Sequence, residues 1–263
     1  DAATGKTLRT VEGTEFTGEI VVADGVLYAM ADNTPSKFPD WRREATYVWA
    51  NTRRANEEWG WNGTGRKILA LDAASGKQLW QHEAPVAPCS MAVADGRLAF
   101  HDGSKLICLD TATGAVRWSG EEAPTSLPVF TGTGPRVLFY EDMILYAGND
   151  GQMSGWKAET GEKVWEQKQR PSGHQSLKDL YVAGGLVWTA AIGGNTDDGT
   201  FVGYDPHTGE LKREFPADVK IHWFHHRCYP SKATENFVLT GRNGTEYVDL
   251  SQEHWNPNHW VRG

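Results

Sequence analysis

A ten-residue phrase that keeps returning constrains this chain more than any other feature. Leu71-Asp72-Ala73-Ala74-Ser75-Gly76-Lys77-Gln78-Leu79-Trp80 recurs as Leu109-Asp110-Thr111-Ala112-Thr113-Gly114-Ala115-Val116-Arg117-Trp118 and as Trp156-Lys157-Ala158-Glu159-Thr160-Gly161-Glu162-Lys163-Val164-Trp165. Shorter copies are Tyr204-Asp205-Pro206-His207-Thr208-Gly209-Glu210-Leu211 and the opening Asp1-Ala2-Ala3-Thr4-Gly5-Lys6-Thr7-Leu8. From Gly76 the glycines follow at intervals of 38, 47 and 48 residues. A period of about 20–50 residues belongs to solenoids, propellers and arrays.

The phrase has a mechanical reading. Asp stands four residues before the glycine, except at Lys157, and its carboxylate can accept hydrogen bonds from turn N–H groups. Ser or Thr precedes every glycine, and the glycine supplies the positive φ that a tight turn needs. A short strand follows and ends on Trp in three copies. The phrase is therefore the last hairpin of a repeated sheet. Its frame is Asp72, Gly76, Trp80, Asp110, Gly114, Trp118, Gly161, Trp165, Asp205 and Gly209, with the tryptophans as packing residues.

Upstream of each phrase, β-rich runs meet hairpin signals. Ile20-Val21-Val22-Ala23 reaches Asp24-Gly25, Met91-Ala92-Val93-Ala94 reaches Asp95-Gly96, and Tyr181-Val182-Ala183 reaches Gly184-Gly185. No long stretch has a helical period. Four short antiparallel strands in each repeat make the blade of a β-propeller. The expectation is a single all-β domain over residues 1–263, with complete blades near 20–82, 88–119, 128–168 and 178–216. Residues 228–250 would supply three strands of a further blade, with 255–262 as its candidate fourth. Residues 1–11 would be a lone outer strand. Residues 32–66 are a Trp-rich loop insertion.

Composition narrows the function. Charged residues at 23% and aromatics at 11% describe a globular protein. A net charge of −8 argues against a nucleic-acid surface, which needs a basic footprint. No apolar run reaches the roughly 18 residues of a membrane-spanning helix. Three scattered cysteines, Cys89, Cys108 and Cys228, make no disulfide framework, and their pairing stays open. The chain opens inside a repeat, which suggests a piece of a longer protein.

In a four-stranded blade the connections between second and third strands, and from blade to blade, share one face. The long segments of this chain fall there, and loops usually carry function. Trp41, Trp49, Trp59 and Trp61 in the insertion, among several arginines, could stack on a sugar, an aromatic ligand or a partner protein, or could form the loop's own small core. Around Ile221–Tyr229, His225, His226 and Cys228 would lie near the channel mouth. They are metal-ligand types, although adjacent histidines on an extended strand point to opposite faces. Packed, hydrogen-bonded channel residues are the other reading. Arg227, Arg242 and His259 complete the candidate ligand contacts, with Arg242 beside Glu235 or Glu246 either a clamp or a structural ion pair.

The spacing Ala70-x-Asp72-x-x-x-Gly76-Lys77-x-x-Trp80 resembles the Trp-docking motif of the PQQ-like repeat family, which includes quinoprotein alcohol dehydrogenases and BamB-type lipoproteins. Cys108 and Gly155 stand where the motif has Ala, and Arg9 and Arg213 where it has Trp. The C-terminal stretch with His226-Arg227-Cys228 is similar to BamB-like propellers of planctomycete-type bacteria. The resemblance implies a ring of seven or eight blades, so further blades outside this chain, and an extracytoplasmic (periplasmic or extracellular) setting. Quinoprotein enzymes hold PQQ under a pair of adjacent cysteines, over a Trp floor, beside a calcium ion. No two cysteines are adjacent here, so no cofactor is expected. The expected role is a binding or scaffold module for a protein, peptide or glycan. The alternative is part of an oxidoreductase whose PQQ residues lie in other blades, or which uses a transition metal at His225, His226 or Cys228.

Overall fold

The computed structural model describes residues 1–34, 60–129, 134–148, 150–169, 180–190, 200–216, 231–240 and 246–256. Among these, twenty strands form five four-stranded antiparallel sheets, each in chain order. Blade one holds β1 (Thr17–Ala23), β2 (Val26–Asp32), β3 (Gly65–Asp72) and β4 (Gln78–Pro85). Blade two holds β5 (Ala92–Ala94), β6 (Arg97–His101), β7 (Lys105–Asp110) and β8 (Val116–Glu122). Blade three holds β9 (Arg136–Tyr140), β10 (Met143–Ala147), β11 (Gln152–Lys157) and β12 (Lys163–Lys168). Blade four holds β13 (Tyr181–Ala183), β14 (Leu186–Ala190), β15 (Phe201–Tyr204) and β16 (Leu211–Phe215). Blade five holds β17 (Lys232–Ala233), β18 (Phe237–Thr240), β19 (Glu246–Asp249) and β20 (His254–Asn256).

Two expectations change. Residues 1–11 form turns and coil instead of a lone outer strand, and pair with no strand among the described residues. The last strand of blade five starts at His254, not Trp255. The phrase before it is a sixth copy of the turn, Asp249-Leu250-Ser251-Gln252-Glu253, that lacks the glycine.

Period-two alternation builds the seams between blades. In β10 every residue is buried, but Ile144 and Tyr146 join a cluster with Trp118 and Leu106 of blade two, whereas Met143, Leu145 and Ala147 join one with Val187 of blade four. Equivalent clusters join blades one and two through Tyr28, Trp80 and Phe100, and blades four and five through Trp188, Phe215 and Val248. The end blades differ. Ile20 and Val22 of blade one are 58% and 63% exposed, and Phe237 and Tyr247 of blade five are 38% and 41% exposed. Each pair lies on the sheet face turned away from the neighbouring blade.

The tryptophans weld the seams. Trp80 lies over Gly114 and donates its indole N–H to the Thr111 carbonyl at 2.7 Å. Trp118 lies over Gly161 and donates to Ala158 at 2.9 Å, and Trp165 lies over Gly209 and donates to Pro206 at 2.8 Å. A Cβ at Gly161 would sit 2.4 Å from the Trp118 ring, and its φ is +72°. Only glycine satisfies both conditions. Arg9 does the same at the start of the chain, covering Gly76 and donating to Ala74 at 2.7 Å.

Candidate functional site

The blades have two unlike ends. At one end, the turn between first and second strands is hydrogen-bonded to the repeated phrase: Ala73 N–H to Gly25 O, Thr111 N–H to Gly96 O, Ala158 N–H to Asp142 O and Leu250 N–H to Asn236 O. Within the phrase, Asp72 accepts from the Ser75 N–H and hydroxyl, and these bonds hold its carboxyl below the usual range. Arg117 does the same for Asp110, helped by Thr113. Asp205 accepts from the His207 and Thr208 N–H groups. The repeat's polar atoms on this turn face are largely satisfied by one another.

The opposite end carries the loops. The excursion between β2 and β3 leaves from a fixed base. Asp32 and Arg66 are directly paired across the ladder. The Arg66 Nε donates to Asp32 at 2.5 Å and its Nη1 to the Val86 carbonyl at 2.8 Å. Its guanidinium lies 5.6 Å from the centre of the Trp61 ring. Trp61 donates to Thr64 O, bridges Val129 through two backbone hydrogen bonds, and covers Gly103 of blade two. It is 3% exposed, so its ring packs the root of the excursion against blades two and three.

Beside that base, three side chains from the innermost edge of blades one to three converge. Glu19 of β1 accepts the Met91 N–H at 3.1 Å through Oε1, while its Oε2 is shielded and without a hydrogen-bond partner. Burial pushes its carboxyl up from 4.5 to about 7, against the pull of the Met91, Cys89 and Ser90 N–H groups and of Arg136. Cys89 sits in the link from blade one to blade two at a φ of 58°. Burial pushes its thiol up, the Glu19 charge adds to this, and the Arg136 guanidinium opposes it. Arg136 opens β9, and its Nε is buried without a partner. A carboxyl that titrates near neutrality, a thiol and a guanidinium with spare hydrogen-bonding capacity suit a polar ligand with both donor and acceptor atoms. His101 nearby is a packing residue: its Nε2 is 2.6 Å from the Ala123 carbonyl, its Nδ1 accepts the Gly103 N–H, and Tyr146 stacks on it at 5.0 Å. Burial lowers its pKa, which keeps it neutral.

Of the sequence-predicted site residues, only Trp61 falls among those described. Trp41, Trp49, Trp59, His225, His226, Arg227, Cys228, Arg242 and His259 lie outside them. Sequence reasoning passed over Glu19, although a signal was present. Alternation with Val21 and Ala23 puts Glu19 on the buried side of its strand, where a carboxylate is costly.

Comparison with known proteins agrees with this architecture. Residues 121–220 match the family model described as outer membrane protein assembly factor BamB. The quinohemoprotein alcohol dehydrogenase ADH IIB of Pseudomonas putida is 28% identical over 165 residues, which are 53% of this chain and 24% of that enzyme. The serine/threonine-protein kinase AfsK of Streptomyces coelicolor is 28% identical over 192 residues, 72% of this chain and 22% of the kinase. The chain thus spans about a quarter of the length of the curated relatives it matches. In fold, the crystal structure of BamB from Moraxella catarrhalis superposes with a TM-score of 0.52 at 19% identity, over 72% of this chain and 54% of that one. The family match bears out the resemblance carried by the repeat over residues 121–220, and the stacked four-stranded sheets are those of a β-propeller.

Proposed function

Taking a PQQ-like propeller as the premise, we propose that this chain is a non-catalytic binding or scaffold part of an extracytoplasmic bacterial protein, and that its partner, a protein, peptide or glycan, docks on the loop face. The observation that carries this reading is the contrast between the two ends. Among the described residues the turn face is closed by backbone hydrogen bonds between turn and phrase, whereas the loop face holds a braced base, the root of a long excursion and the buried Glu19 carboxyl. The description of BamB as an assembly factor favours a protein partner. The uncovered apolar faces at Ile20 and Val22 and at Phe237 and Tyr247 fit further blades of the same protein.

A second reading, part of a quinoprotein or metal-dependent oxidoreductase, is favoured by the likeness to ADH IIB and by the Glu19, Cys89 and Arg136 cluster. The residues present do not fit PQQ as the quinoprotein enzymes hold it. Cys89 is followed by Ser90, and no two of the three cysteines are adjacent.

The test is site-specific photo-crosslinking in the native host. A crosslinker at position 63, on the loop face, should give a discrete partner adduct, and one at position 112, on the turn face, should not. Adducts confined to position 112 would overturn the docking face. Stoichiometric uptake of PQQ with Ca²⁺, followed by alcohol-dependent dye reduction, would replace this reading with the second.

A further inference from the structure

The repeat demands little of three turn-face residues, and all three depart from it. The turn between the first two strands is Asp-Gly in blades one and two, but Glu141-Asp142 in blade three. Glu141 takes the positive φ, 51°, that Asp24 and Asp95 take at 49° and 48°. In the neighbouring phrase, the place filled by Ala74 and Ala112 in the first two blades is His207 in blade four. These departures meet across the seam. His207 Nε2 lies 3.0 Å from Asp142 Oδ1 and 3.3 Å from Glu141 Oε2.

The preceding seam shows what ordinary ion pairing looks like at this place. There Arg97 pairs with Glu159, one cation with one anion. At the His207 seam two carboxylates face one imidazole, and among the described residues no lysine or arginine lies within ion-pair distance of either. With neutral imidazole the cluster carries two uncompensated negative charges. The second ring nitrogen, Nδ1, lies 4.0 Å from Asp205 Oδ1. Without a metal the Nε2–H donates to Asp142 Oδ1 at 3.0 Å, and a cation that displaces this proton meets the Nε2 lone pair and two carboxylate oxygens together.

We propose that Glu141, Asp142 and His207 form a divalent-cation site of zinc type that bridges blades three and four on the turn face. The three donor atoms lie within 4.8 Å of one another. Bonds of about 2.0–2.2 Å in tetrahedral geometry put neighbouring donors about 3.3 Å apart, which the two His207 distances already approach. One imidazole with two carboxylates suits Zn²⁺ better than Ca²⁺, which takes about 6–8 oxygens. The backbones of two donors are held in advance, since Ala158 N–H fixes the Asp142 carbonyl and Asp205 fixes the His207 N–H. The site is separate from the loop face and does not depend on what docks there.

The experiment is calorimetric titration of the chain with ZnCl₂ at pH 7.5, after chelation and desalting. The background is His225→Ala/His226→Ala/Cys228→Ala, which removes the competing ligands. One saturable Zn²⁺ is expected, weakened more than about 100-fold by His207→Ala, because losing a direct ligand exceeds the 10–100-fold effect of supporting residues. Absence of saturable binding, or binding that survives His207→Ala, overturns the proposal. Should the triple variant not fold, Asp142→Asn in the otherwise unaltered chain must lower the zinc stoichiometry by one. Unchanged stoichiometry overturns it equally.

Discussion

The seams that join blades one to four and the seam that joins blades four and five occupy the same place and hold it by different physics. In the first group an indole lies on a glycine and its N–H closes on a carbonyl of the next blade. In the last seam Arg213 stands in the Trp place and Glu253 in the Gly place, and the guanidinium Nε pairs with the carboxylate at 2.8 Å. Glu253 keeps the positive φ, 54°, that glycine supplies elsewhere. The two positions have changed together, from close packing to charge. Arg9 on Gly76 shows that an arginine can also dock on the glycine itself. The turn sets the docking geometry, while what fills the joint sets its strength.

The largest expected effect tests that claim directly. Trp118→Ala removes a 9%-exposed indole and its hydrogen bond to Ala158, and should cost about 3–5 kcal/mol in urea unfolding. Gly161→Ala acts from the other side of the same joint, through a clash and a strained φ, and should cost about 2–3 kcal/mol. Arg213→Ala should cost less than about 1 kcal/mol, because both partners are partly exposed to water. Equal losses for Trp118→Ala and Arg213→Ala would break the comparison.

The next effect separates the seams by pH. Glu19 lies in the seam of blades one and two, with its pKa raised from 4.5 to about 7. Between those values the folded chain holds a proton that the unfolded chain releases. Stability therefore falls as pH rises from 4.5 to 7, by up to about 3 kcal/mol. Glu19→Gln keeps the amide oxygen for Met91 N–H and should flatten that slope, leaving the variant more stable than the parent at pH 8. An unchanged slope in Glu19→Gln would place the titrating group elsewhere.

Much of this was legible in the sequence because each blade repeats its own instructions. Asp72, Gly76 and Trp80 announce a turn, a positive φ and an indole, and Asp24-Gly25 announces the facing hairpin. What a single repeat does not state is which blade its side chains reach. The indole of Trp80 closes on Thr111, 31 residues away, and His207 meets Asp142 across 65. Such contacts are visible only once the blades are stacked. The turn at Asp249 is hidden for a related reason: Glu253 in place of glycine erases the signature, and only the Arg213 partner makes the exchange intelligible. Glu19 was legible by alternation but not by type, since burial and not spacing gives it its chemistry. The Trp-rich excursion advertises ligand-stacking residues, yet its described member, Trp61, is buried against Gly103 of blade two.

Exchanging one joint for the other sharpens the comparison at smaller amplitude. Arg213→Trp with Glu253→Gly should rebuild the indole-on-glycine joint between blades four and five and raise stability by about 1–2 kcal/mol, partly because glycine relieves the left-handed backbone at 253. Either change alone should do worse than the pair. Arg213→Trp by itself would set an indole against the charged Glu253 side chain, and Glu253→Gly by itself would leave Arg213 without its partner. Equal and additive single effects in the urea midpoints would show that the two positions do not communicate.

The smallest effect is the most diagnostic of mechanism. An exposed ion pair is screened by salt, whereas an indole packed on glycine is not. The coupling between Arg213 and Glu253, measured by a double-mutant cycle with Arg213→Ala and Glu253→Ala, should be about 0.5 kcal/mol at low salt and fall towards zero near about 1 M NaCl. The cost of Trp118→Ala should stay level or rise slightly over the same range. A salt-independent Arg213–Glu253 coupling would mean that the guanidinium acts there by packing, as Arg9 does on Gly76. The last seam would then be a variant of the first three rather than a different kind of joint.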